Sequence, residues 1–151
     1  MLTVPSPRTA PVDRAALRCL VPHAGAMCLL DAIADWDEER ITAIALSHRD
    51  ADNPLRRDGL LPAICGVEYA LQAMAAHGAL RGGGRAQLAG YLSSLRGVEL
   101  STDRLDEVPG PLRVTAEALA SETRGFIYRF VVEGGGRLLL SGQAAIILPE
   151  A

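Results

Sequence analysis

In this chain of 151 residues, the side chains best suited to acid–base chemistry are a glutamate in the longest helical pattern and a histidine ahead of it. On a wheel turning about 100° per residue, Ile64, Val67, Leu71, Met74, Ala75 and Gly78 share one arc of about 120°, a stripe expected to face a sheet. Glu68 stands at the edge of that stripe, one turn after Ile64, and Gln72 lies one turn further along the same side. Burial there raises a carboxyl pKa unless a cation or backbone donors offset it. A carboxyl that stays protonated near neutral pH can give its proton to a departing oxygen. The same position also suits a carboxylate that only answers the helix macrodipole or snorkels to water. His48 ends a strand-like run and opens a polar loop, where an imidazole acts either as a base or as an exposed cap. His23, within Leu20-Val21-Pro22-His23-Ala24-Gly25, is equally open to both readings. His77 falls opposite the apolar stripe and is expected at the surface or in an interface.

Composition removes several other chemistries. All 15 basic residues are arginine, which excludes Schiff-base lysines and the phosphate-loop lysine. Cys19, Cys28 and Cys65 form no C-x-x-C pair and are expected as reduced, buried thiols. A net charge of −3 gives no electrostatic reason to expect nucleic acid or an anionic membrane. The first 12 residues contain three prolines and no apolar run fit for a signal peptide. No stretch approaches the ~18 apolar residues of a membrane span, so a soluble, cytoplasmic protein is expected. The two Gly-Gly-Gly-Arg runs, at Gly82 and Gly134, lack the Lys-Ser/Thr of a phosphate cradle.

The elements that must position Glu68 and His48 follow from periodicity. Residues 1–12 read as a flexible proline-rich tail, and 13–149 as one domain. Asp13 caps a short helix, Arg14 to Leu20. Asp31–Trp36 and Arg40–Leu46 form a first hairpin about the turn Asp37-Glu38-Glu39. Residues 47–61 are a polar loop; Pro62 to Leu80 is the long helix, with Pro62 in its first turn and Gly82-Gly83-Gly84 ending it. Gln87–Leu100, Leu112–Ser121, Phe126–Glu133 and Arg137–Leu148 are strands. A lone long helix between strands must bury its apolar face on a sheet that curls around it. The fold class is therefore α+β, a curved antiparallel sheet wrapped around one central helix.

Two motifs resemble a known family. Leu20-Val21-Pro22-His23 with Met27-Cys28-Leu29-Leu30-Asp31 resembles the L-P-H-R-x-P-x-L-L-x-D opening of bacterial 3-hydroxyacyl-(acyl carrier protein) dehydratases. In those enzymes a Glu follows the helix-starting Pro by six residues and a Gln follows four later, the spacing of Pro62, Glu68 and Gln72. The run from His48-Arg49-Asp50 through Asn53-Pro54-Leu55-Arg56 to Gly59, then Gly66-Val67-Glu68-Tyr69-Ala70-Leu71-Gln72-Ala73-Met74, is most similar to the ApeP-like dehydratases. These are hotdog-fold enzymes associated with aryl-polyene pigment clusters. Two positions depart from the housekeeping pattern. Pro54 occupies the slot of the usual catalytic His, fourteen residues before Glu68, and Ala63 replaces the Gly after the helix-starting Pro.

The resemblance implies dehydration of a 3-hydroxyacyl thioester, in fatty-acid or aryl-polyene-type polyketide synthesis. His48 would remove the C2 proton and Glu68 would protonate the C3 hydroxyl. Backbone N–H groups at the helix start would hold the enolate oxygen, a donor typically worth about 3 kcal/mol. Asn53, Gly59, Gln72 and His23 would bind or position substrate, His23 near the tunnel mouth; Ala43, Ala45 and Gly90 hint at space. No metal or organic cofactor is required, since the thioester is its own electron sink. The implied partners are an acyl carrier protein and a second copy of the chain, the His and Glu of one site coming from different copies. Two rivals stand beside this reading. Asn53 lies fifteen residues before Glu68, the spacing of hotdog thioesterases, although their His-Gly-Gly is absent. Pro54 in the histidine slot also fits an inactive acyl-binding partner subunit.

Overall fold

A computed structural model describes residues 12–17, 27–83 and 90–149. The chain adopts the α+β hotdog architecture. A short helix α1 (Arg14–Leu17) precedes β1 (Ala32–Trp36) and β2 (Arg40–Ala45); the long helix α2 (Gly66–Arg81) follows, then β3 (Tyr91–Leu100), β4 (Leu112–Glu122), β5 (Gly125–Gly134) and β6 (Arg137–Ile147). The strands form one antiparallel sheet in the order β1-β2-β4-β5-β6-β3. Side-chain caps and glycine turns set the ends of these elements. Asp13 Oδ1 accepts the Ala16 N–H at 2.9 Å, starting α1. Asp37 Oδ1 accepts the N–H groups of Glu39 and Arg40 and closes the β1–β2 turn. Gly135 and Gly136, at φ 59° and 76°, make the two-residue β5–β6 turn that suits strand twist.

The helix begins later than expected. Pro62 is extended (ψ 146°) and a 3-10 turn, Ala63–Cys65, leads into α2. Its buried face overlaps the expected stripe at Val67, Met74 and Gly78 but extends well beyond it. Tyr69, Ala70, Gln72, Ala73, Ala76, His77 and Ala79 are fully enclosed, whereas Ile64 is 49% exposed and Leu71 and Ala75 are only partly covered. Alanines surround most of this helix, so apolar periodicity alone does not choose a face. The close approach of α2 to β2, β4 and β5 does choose it, because small side chains let the backbone sit near the sheet. His77 therefore lies in the core rather than at the surface. Its Nε2 donates to the Asp37 carbonyl at 2.7 Å, and its Nδ1 accepts from the Tyr128 hydroxyl at 2.8 Å.

Among the described residues no strand pairs with the outer border of β3. β3 is an edge strand, and Tyr91, Leu92, Leu95 and Leu100 along it are exposed, Tyr91 by 68%. At the other edge Val12 exchanges two backbone hydrogen bonds with Ile33 of β1. Among the described residues no helix is long and apolar enough to cross a membrane.

Candidate active site

Glu68 stands half-buried in the first turn of α2. Gln72, one turn on and fully buried, fixes one of its oxygens. The Gln72 Nε2 donates to Glu68 Oε1 at 3.3 Å and to the Met27 carbonyl at 2.6 Å, while its Oε1 accepts the Leu29 N–H at 2.9 Å. The two backbone partners permit only one orientation of the amide. Oε1 of Glu68 is consequently an acceptor.

His48 is the middle residue of a 3-10 turn, Ser47–Arg49, just beyond β2. Its ring is fully buried. Nε2 lies 3.1 Å from the Val108 carbonyl, and since a carbonyl only accepts, this nitrogen bears the hydrogen. Nδ1 then holds the lone pair, and it is buried with no hydrogen-bond partner. Burial pushes the imidazole pKa down and Arg49 adds to this, against the carbonyls of Val108 and Gly110 and the charge of Asp50. The ring is a neutral base.

The Asn53 amide is engaged within the fold. Its Nδ2 donates to the Ser47 carbonyl (2.8 Å) and the Tyr69 hydroxyl (3.0 Å), and its Oδ1 accepts the Leu55 N–H (2.9 Å). Gly59, at φ 77°, completes with Asp58 a tight turn between the reciprocally bonded Arg57 and Leu60. The Gly59 carbonyl accepts from Arg56, which also reaches the His48 carbonyl at 3.4 Å. Asn53 and Gly59 thus both bear on the turn that holds His48. His23 lies outside the described residues.

The loop after β3 ties the start of α2 to His48. The Asp106 carboxyl accepts the Leu61 N–H at 2.9 Å and is gripped by Arg104, whose hydrogen bonds hold it far below the usual carboxylate range. The Leu105 N–H donates to the Leu61 carbonyl, and the Ala63 N–H to the Asp103 carbonyl. The amide that follows Pro62 is therefore committed within the fold and cannot be an oxyanion donor in this conformation. The same loop carries Val108, the acceptor for His48. Beside it a cavity of about 480 Å³ opens between Pro62–Ile64 and Leu100–Asp103.

Two residues in this network, Ser47 and Tyr69, escape sequence reasoning. Ser47 Oγ donates to the Leu29 carbonyl at 2.7 Å and lies 2.8 Å from the Tyr69 hydroxyl. Tyr69 is one of only three tyrosines, sits beside Glu68 and needs a polar partner if enclosed. Its place on the wheel, opposite the expected apolar stripe, pointed away from the core. The structure joins Glu68 directly to Gln72, and joins Asn53 to the turn of His48. It makes no hydrogen bond from the His48 ring to a carboxylate within the chain. Among the described residues no three His, Cys, Asp or Glu side chains gather as metal ligands.

Solved structures share this architecture at low identity. The dehydratase heterocomplex ApeI:P from Xenorhabdus doucetiae is 18% identical, with 89% of this chain and 91% of that one covered and a TM-score of 0.77. AziG from S. sahachiroi is 17% identical over 87% and 99% of the two chains, TM-score 0.62. A hypothetical thioesterase with coenzyme A from Streptococcus pneumoniae is 10% identical over 78% and 84%, TM-score 0.54. At these identities the likeness is one of fold. No curated protein matches. The family profile described as ApeP-like, ApeP dehydratase, matches residues 15–151. The hotdog fold, the Glu68–Gln72 pair on its central helix and this match over nearly the whole chain place the protein in the ApeP-like dehydratase family.

Proposed function

We propose that this chain is a 3-hydroxyacyl-(acyl carrier protein) dehydratase working as a homodimer, in fatty-acid or aryl-polyene-type polyketide synthesis. The observation that carries the reading is the oriented carboxyl of Glu68, fixed by a glutamine amide that the backbone locks on both sides. Substrate entry must first open the turn that encloses the His48 ring; Nδ1 then takes the C2 proton and electron density moves into the thioester carbonyl. As it returns, the C3–O bond breaks and the Glu68 proton joins the departing hydroxyl. The products are water and the trans-2-enoyl thioester, and proton exchange with solvent resets the imidazolium and the carboxylate. The residues present need no metal or organic cofactor for these steps. The edge of β3, with Tyr91, Leu92, Leu95 and Leu100 exposed, suits pairing with a second copy. A cytoplasmic location accords with this carrier chemistry.

The decisive experiment offers the protein a 3-hydroxyacyl carrier protein and reads the product by mass spectrometry. Loss of one water is expected from the wild type, and collapse of turnover in both Glu68→Gln and His48→Gln. Intact turnover in Glu68→Gln overturns the assignment of the acid. Intact turnover in His48→Gln, with loss in His23→Gln, moves the base to His23. The thioesterase reading loses support from the structure, because Asn53 has its amide fully engaged. A saturated acyl thioester checks this directly, since a dehydratase leaves it intact and a thioesterase releases the thiol. Failure to self-associate would instead favour a partner subunit of different sequence, as in a heterocomplex.

A further inference from the structure

We propose that Tyr69 is a positioning residue for the base: its hydroxyl fastens the turn bearing His48 to the helix bearing Glu68. The inference rests on the dehydratase reading. It begins with the direction of each hydrogen bond. The single Ser47 hydroxyl proton goes to the Leu29 carbonyl, which can only accept. In the 2.8 Å contact between Ser47 Oγ and the Tyr69 oxygen, Tyr69 is therefore the donor. The same tyrosyl oxygen accepts from Asn53 Nδ2 at 3.0 Å. Asn53 gives its other amide hydrogen to the Ser47 carbonyl. Ser47 is thus held at its side chain and its carbonyl, and Tyr69 meets both holders.

Ser47, Asn53 and Tyr69 are 9%, 6% and 0% exposed, so water does not substitute for a lost bond. What they restrain is a three-residue turn whose middle member is His48. The same helix treats the acid alike. Gln72 holds Glu68 and accepts the Leu29 N–H, while Ser47 donates to the carbonyl of that same Leu29. Leu29 is accordingly clasped from both sides, and α2 sets acid and base together through Gln72 and Tyr69. A tyrosine serving only as core filling needs no such convergence on the residue beside the imidazole.

Tyr69→Phe keeps the ring and deletes the link. In the variant, kcat on a 3-hydroxyacyl carrier protein is expected to fall roughly ten- to hundredfold, as for small misplacements of a catalytic group, with KM changed less than about twofold. Nitrogen-15 spectra of labelled histidine, assigned with His23→Gln and His77→Phe, report the His48 tautomer. The wild type should show hydrogen at Nε2 alone, and Tyr69→Phe a mixture. Ser47→Ala should reproduce both effects and Ser47→Thr, which keeps a hydroxyl, should restore wild-type behaviour; this pair decides the matter if Tyr69→Phe does not fold. An unchanged tautomer with unchanged kcat in Tyr69→Phe or Ser47→Ala overturns the proposal. A wild type that does not dehydrate defeats the functional reading instead, and the tautomer comparison still decides whether Tyr69 orders the turn.

Discussion

His77 offers a sharp test of how the long helix is seated, because a surface histidine and a core histidine predict different energetics. Both ring nitrogens are engaged, and the residue has no exposed area. His77→Ala deprives the buried Tyr128 hydroxyl of its acceptor and the Asp37 carbonyl of its donor, and it opens a void under α2. An unpaired buried group costs about 1–3 kcal/mol and an unfilled cavity adds to it. The expected loss is thus about 3 kcal/mol, which for a urea m-value of about 2 kcal/mol per molar moves the midpoint down by roughly 1.5 M. Tyr128→Phe, leaving Nδ1 unpaired, should cost about 1–2 kcal/mol. The double variant should lose less than the sum by about 1 kcal/mol, since the pair shares one bond.

The same residue gives stability a pH dependence of known sign. Burial lowers the folded-state pKa of His77, with Arg81 adding to this and the Asp37 carbonyl and the Asp37 and Glu38 charges opposing. His48 is lowered for the same leading reason. Between the folded and unfolded values the unfolded chain binds more protons, so stability is fully present above about pH 6.5 and falls as pH drops below it. Each histidine contributes a slope approaching about 1.4 kcal/mol per pH unit. Urea unfolding from pH 8 to pH 5 should show this slope, and His77→Phe should remove the share of one residue. A His77→Ala midpoint indistinguishable from wild type, within about 0.5 kcal/mol as for surface substitutions, would refute the placement of the ring in the core.

Other outcomes follow from the site and the sheet edge. On the proposed homodimer, Leu95→Arg places a charge on the exposed border of β3 and should shift the protein toward monomer in sedimentation velocity. If His and Glu of one site come from two copies, turnover should fall in parallel. Gly59→Ala, at φ 77°, should cost about 1 kcal/mol of stability in urea unfolding through backbone strain alone. Asp106→Asn loosens the clasp on Leu61. The depressed pKa of Asp106 means that its contribution is present above about pH 4 and lost as pH falls, so acid unfolding of the variant should show a weaker pH dependence than that of the wild type.

How far the sequence led depends on which forces have a short-range signature. The strand runs, the Asp13 cap and the Asp37 turn are local chemistry. All are where the pattern put them, and they were enough to outline a sheet curled around one helix. The helix face was legible only in part: Val67, Met74 and Gly78 of the expected stripe are buried, but so are Ala70, Ala73, Ala76 and Ala79, which weigh little on an apolar wheel. Choosing between faces is a tertiary decision, made where β2, β4 and β5 meet α2, and His77 moved from surface to core with it. The polar network around His48 was hidden for a related reason. Its bonds span Leu29 to Ser47, Ser47 to Tyr69 and His48 to Val108, separations that no periodicity encodes. The pair four residues apart, Glu68 and Gln72, was legible because one helical turn brings them together. The proposed acid–base site thus combines a local half, which spacing reveals, with a long-range half that only the packed chain supplies. The stability of His77 and the tautomer of His48 probe that second half directly.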